Sequence, residues 1–92
     1  MPITVIKNGK GLGEVTRYDR MVSPDGKMIC ATYWTTAPLK TGEEYEFHFE
    51  DGRISRVRIV IPGPPEGSVI SAGSWGWRGS ADVLEERPVD PG

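Results

Sequence analysis

The chain holds one cysteine, Cys30, and one histidine, His48. A single thiol excludes an internal disulfide framework and any zinc site built from several cysteines, and makes a reducing compartment the simplest setting. One histidine with scattered carboxylates has no metal-ligand spacing, so neither a metal nor a cofactor is expected. No apolar run approaches the ~20 residues that a membrane helix needs, and the first residues lack the basic-then-apolar order of a secretory leader. A soluble, cytoplasmic protein with no membrane partner is the expectation. An excess of one charge is missing too. Eleven Lys+Arg against 13 Asp+Glu give a formal net charge of -2, so there is no global basic field for nucleic acid or anionic lipid. Locally the balance is uneven: beyond Ala81, Asp82, Glu85, Glu86 and Asp90 are offset only by Arg87.

What the chain has in quantity is punctuation. Twelve glycines and eight prolines interrupt 92 residues, a length suited to one domain and one core. The windows between them are rich in Val, Ile, Thr, Tyr and Phe, the residues that fit strands. Ile3–Lys7 ends in Asn8-Gly9, a hairpin signal. Gly13–Val22 follows, then a turn over Ser23–Lys27 with Pro24-Asp25 at its centre and Gly26 in the left-handed position. Met28–Ala37, Glu43–Glu50, Arg53–Ile61 and the run from Ser68 to Trp77 complete about six strands. The expected fold is all-β: a small antiparallel meander forming a partly closed barrel or sandwich over residues 1–81. Residues 82–92 read as an acidic, proline-containing tail with one helical turn over Asp82–Arg87.

Side-chain chemistry registers the hairpin around Asp51-Gly52. A two-residue turn would mix apolar and charged side chains on both faces. A three-residue loop, Glu50-Asp51-Gly52, instead sets Tyr45 against Val57 and places Glu46 and Glu44 against Arg56 and Arg58. Tyr45, Phe47, Phe49, Val57, Ile59 and Ile61 then share one side, and since a one-residue slip exchanges the faces, the three-residue loop is selected. The same reasoning at Ser23–Lys27 sets Val22 against Met28, Tyr18 against Thr32 and Thr16 against Trp34. The strand Met28–Ala37 offers two core sets, Met28/Cys30/Trp34 and Ile29/Ala31/Tyr33. The run Gly42–Ile61, GEEYEFHFEDGRISRVRIVI, resembles the closing hairpin of SnoaL-like and other NTF2-like proteins. Those families cap a cone-shaped sheet with long N-terminal helices, for which this chain has no counterpart, so the resemblance carries no function with it.

His48 falls on the polar face near Glu46, where it is a solvated strand residue or, alternatively, the base of an enzyme built into a barrel mouth. No local nucleophile signature accompanies it. The glycines of GKGLGEV lead into a strand rather than a helix, which suits a turn better than a phosphate loop. Cys30, mid-strand, reads as a small buried residue. The conspicuous segment is GSWGWRG, Gly73–Gly79, which carries two of the three tryptophans. Trp75 and Trp77 at i and i+2 of a strand share a face, either as core or, with glycines keeping the surface open, as a platform. The reading adopted is a non-enzymatic binding module. It holds a protein partner or small-molecule ligand through Trp75, Trp77 and Arg78, with Trp34 and Tyr33 beside them, and it self-associates through free sheet edges. The alternative is a single-stranded nucleic-acid or nucleotide binder on an OB- or SH3-like barrel, with Arg17, Arg20, Arg53, Arg56, Arg58 and Arg78 as a basic strip.

Overall fold

The computed structural model describes residues 3–62 and 79–88. Six strands are present among them: β1 (Ile3–Lys7), β2 (Lys10–Val22), β3 (Ile29–Thr35), β4 (Glu44–Phe49), β5 (Ile54–Ile61) and β6 (Gly79–Arg87). All pairings are antiparallel, and the sheet closes into a barrel in the order β1-β2-β3-β6-β5-β4. The all-β expectation holds. Closure removes the free sheet edges on which the expectation of self-association rested.

The strand order departs from a simple meander at one place. After β3 the chain does not turn back beside itself; residues 36–43 cross the barrel end, and β4 starts next to β1. Ala37 and Leu39 in this crossing are buried, at 3% and 8% exposure. A tight hairpin would leave both in water, so their burial favours the crossing.

The second departure is β6. The expected strand from Ser68 to Trp77 lies outside the described residues, and the helical turn over Asp82–Arg87 is absent: those residues form most of β6. The acidic run is not a solvated tail up to Arg87, because the barrel supplies it with bases. Asp82 lies opposite Arg58 and Glu85 opposite Arg56, while Glu86 is bound by Arg20 at 2.8 Å. Meanwhile Ala81 points inward at 1% exposure, so the strand has an apolar inner face and a charged outer one.

Turn chemistry explains the hairpins. Asn8 and Gly9 both have positive φ, 53° and 76°, which matches the twist of a two-residue hairpin turn. The β4–β5 register is the expected one: Tyr45 opposite Val57, Glu46 opposite Arg56, Glu44 opposite Arg58 and His48 opposite Ile54. Gly52 closes the loop at φ 99°, donating to the Phe49 carbonyl at 3.0 Å. Ile61, expected on the core side, is 52% exposed, because the β5–β6 register shifts between Ile59 and Ile61.

The β2–β3 register is one residue away from expectation: Val22 faces Ile29, Tyr18 faces Tyr33 and Arg17 faces Trp34. Ser23 and Met28 are the pair that closes the loop. The Ser23 N–H donates to the Met28 carbonyl at 2.9 Å, and the Met28 N–H donates to Ser23 Oγ at 3.1 Å. The Pro24-Asp25 turn and the left-handed Gly26, φ 74°, are as expected. This register settles the core face of β3, where Ala31 and Tyr33 are enclosed at 0% and 1% exposure. Tyr33 meets Phe47 edge-to-face at 5.6 Å amid Val5, Val15, Val57 and Ile59. Full burial of one such side chain contributes about 1.5–3 kcal/mol.

Candidate functional site at the barrel mouth

The inward-facing rows of a small barrel are normally filled with apolar side chains. Here they change character at one end. On β2, Val15 is followed inward by Tyr18 and then Arg20, opposite Tyr33 and Ala31. On β5 the inner position before Val57 is Ser55, opposite Phe47 and Glu86. Arg53 bonds backbone-to-backbone with Phe49 at 2.8 Å. Tyr18, Arg20, Phe49, Arg53, Ser55 and Glu86 therefore converge, with Arg87 and Pro88 at the rim, around a pocket of about 360 Å³.

Its electrostatics follow from three ion pairs. Arg20 donates through Nε and Nη2 to the two Glu86 oxygens, at 2.9 and 2.8 Å, a two-pronged bond that joins β2 to β6 and holds the Glu86 carboxyl below the usual carboxylate range. Arg53 donates through Nε to Asp51 at 2.8 Å, and its guanidinium lies 4.6 Å above the Phe49 ring centre. Arg87 donates through Nε to Glu85 at 3.0 Å. Tyr18 packs edge-on against Phe49 at 5.2 Å. Burial pushes its phenol upward, opposed in part by the adjacent Ser55 hydroxyl.

At the other end, outside the sheet, a hollow of about 370 Å³ is lined by Ile6, Lys7, Glu44, Tyr45, Glu46 and Arg56 among others. Its cations are committed. Lys7 Nζ donates to the Glu44 carbonyl at 2.9 Å and sits 4.8 Å from the Tyr45 ring centre. Arg56 donates to Glu44 at 2.7 Å.

The aromatic platform expected from the sequence is not assembled by the described residues. Trp75, Trp77 and Arg78 lie outside them. Tyr33 is a core residue whose hydroxyl donates to the Ile61 carbonyl at 2.9 Å; its ring is enclosed and unreachable, which corrects its assignment to a binding surface. Trp34 is half-buried on the outer face opposite Arg17, and its indole N–H is buried with no acceptor among the described residues. Gly79, the last residue of GSWGWRG, has a packing role: a Cβ there would lie 2.3 Å from Tyr33 Cζ. His48 is on the outer face with Glu46 at 2.9 Å. Among the described residues no three His, Cys, Asp or Glu side chains gather as a metal site, and no helix is long and apolar enough to cross a membrane.

Among the described residues the basic strip does not form as one field, and Arg78 lies outside them. Arg56 and Arg58 share Glu44, at 2.7 and 3.2 Å, while Arg20 and Arg53 turn to the mouth. The mouth itself escaped sequence reasoning because the register put Tyr18 opposite Thr32. Its signal is nonetheless in the chain: polar residues at Arg20 and Ser55 continue inward-facing rows that are otherwise apolar.

No family model, curated protein or solved structure matches this chain. The hairpin that resembles NTF2-like proteins is part of a closed barrel with no helix among the described residues, so the likeness ends at the hairpin.

Proposed function

We propose that this protein is a binding module, without a chemical step of its own, that holds a small ligand in the mouth of its barrel. The observation that carries the reading is the pocket of about 360 Å³ in which two packed rings, Tyr18 and Phe49, meet Arg20, Arg53, Ser55 and Glu86. Apolar walls with a few convergent polar groups are the usual composition of small-molecule sites, and barrel mouths are a usual place for them. The nucleic-acid reading loses support from the same geometry, because the outer arginines Arg56 and Arg58 are each tied to Glu44, which weakens the field a phosphate would feel.

A fragment screen on the full chain, followed by NMR, tests this. Saturable shifts at Tyr18, Phe49 and Ser55 are expected. Shifts confined to the indole N–H signals of Trp75 and Trp77 would move the site to the tryptophan segment and end the mouth reading.

A further inference from the structure

The donors and acceptors around the mouth do not balance. A guanidinium has five N–H donors. Arg20 spends Nε and Nη2 on Glu86, and this bidentate bond occupies both oxygens of the one carboxylate lining the pocket. Arg53 spends only Nε, on Asp51, and Arg87 only Nε, on Glu85. Neither Asp51 nor Glu85 lines the pocket. The terminal amino groups of Arg53 and Arg87 have no acceptor among the described residues, so the wall presents spare positive donors, while its one carboxylate already carries the Arg20 guanidinium.

Arg53 is the better placed of the two. It lies across from Phe49 at the hairpin end. Asp51 fixes it twice, accepting from its backbone N–H at 3.0 Å and from its Nε at 2.8 Å, while the Phe49 ring supports the guanidinium plane from below at 4.6 Å. A guanidinium held at Nε and by a ring keeps its terminal fork free to receive an oxyanion. Beside it stands the edge-packed Tyr18–Phe49 pair, an apolar wall. The volume lies at the lower end of the range for organic ligands, which limits the occupant to a small molecule.

Resting on the reading of the mouth as a ligand site, we infer that its ligand class is a small organic anion: an oxyanion, such as a carboxylate, received by the free fork of Arg53, on an apolar body that lies along Tyr18 and Phe49. A neutral amide of the same shape offers one acceptor without charge, and a charge-assisted bond is roughly twice as strong as a neutral one. A cation would meet three guanidinium groups and a single carboxylate, Glu86, that Arg20 already holds.

The test uses three probes of one shape, benzoate, benzamide and benzylamine, titrated into the full-length chain with the arginine Nε–H and aromatic signals followed by NMR. Benzoate should shift Arg53, Tyr18 and Phe49 together and bind about tenfold more tightly than benzamide, with benzylamine weakest. Arg53→Gln should bring benzoate down to the level of benzamide. Arg58→Gln, on the outer face, should leave it unchanged. Equal binding of benzoate and benzamide, or an equal loss in the two variants, overturns the anion assignment and leaves the mouth as a site for neutral ligands. If none of the three probes moves a mouth signal, the ligand-site reading itself fails.

Discussion

The two ends of this barrel are finished by opposite means. At the end reached by Lys7 and Tyr45, the connection 36–43 folds across the opening and seals it with Ala37 and Leu39. Its backbone is satisfied locally: the Lys40 N–H donates to the Tyr45 hydroxyl at 3.0 Å, and that hydroxyl donates to Glu43 at 3.2 Å. The backbone of Ala37 approaches Gly13 so closely that a Cβ there would lie 2.9 Å from Ala37 Cα. At the other end the connections, 23–28 and 50–53, are short turns that have no chain to lay across. Among the described residues side chains line the opening, chiefly Tyr18, Arg20, Phe49, Arg53, Ser55 and Glu86, with Arg87 and Pro88 at the rim. The difference shows how connection length decides the chemistry of a barrel end. A long crossing brings its own apolar lid, whereas tight turns leave a polar, partly filled mouth.

Stability should therefore reside at the sealed end and recognition at the mouth, and substitutions can separate the two. Leu39→Ala has the largest expected effect, because it removes most of an apolar plug that is 8% exposed. It should cost about 2–4 kcal/mol, read as a lower urea midpoint with an unchanged slope, while benzoate affinity of the folded fraction stays as it was. Gly79→Ala should cost about 1–3 kcal/mol through overpacking, because the new methyl meets the Tyr33 ring, itself confined by the Ile61 carbonyl and Phe47. A Gly79→Ala protein as stable as the parent would show that Tyr33 yields easily, and the sealed end would not be the rigid one. Arg20→Gln at the mouth should move the urea midpoint least of the three, since the Arg20–Glu86 pair is partly solvated, with side chains 44% and 34% exposed.

How much of this was readable in the chain depended on chemical contrast. In β4 and β5 the aromatics and valines alternate with Glu44, Glu46, Arg56 and Arg58, so only one register separates the faces, and that register is present. Strands β2 and β3 lack such contrast. Tyr18 is flanked by charges on both sides, β3 has two apolar sets, and the register was decided instead by Ser23 closing the loop with its backbone and its hydroxyl. The acidic run at Asp82–Glu86 looked solvated because its arginine partners are remote in sequence; Arg20 and Glu86 are separated by 66 positions. The mouth was illegible for the same reason, since its wall exists only once β2, β5 and β6 are curled into one ring. The tryptophan pair that dominates the sequence lies outside the described residues, and the site they support instead is made of residues that alone draw no attention.

The smallest effects, those of pH, sharpen the same contrast. Glu86 at the mouth is held below the usual carboxylate range by Arg20, Asp51 in the turn beside it is held down by Arg53, and on the outer face Glu44 is likewise held down by Arg56 and Arg58. Their unfolded counterparts protonate near ~4. The folded protein thus keeps these contributions fully above that pH and loses them as pH falls through the lowered values. The phenols behave in the opposite sense. Burial raises Tyr33 in the core, with the Tyr45 phenol adding to the shift, and burial likewise raises Tyr45 at the sealed end. Their stabilisation is complete below the ordinary phenol value near ~10 and declines as pH rises toward the raised folded values. Urea midpoints measured across pH should therefore fall off on both sides, by little on the acid side because those carboxylates are largely solvated. The variant that separates the limbs is Glu86→Gln. It should flatten part of the acid limb and act on the alkaline limb only through Tyr18, whose phenol is raised by burial and further by the Glu86 charge, with phenolate absorbance in the alkaline range appearing together with unfolding. An alkaline limb that shifts with Glu86→Gln by more than Tyr18 alone carries would mean that the mouth and the phenols of Tyr33 and Tyr45 are energetically one unit, and the division between a sealed end and an open mouth would have to be given up.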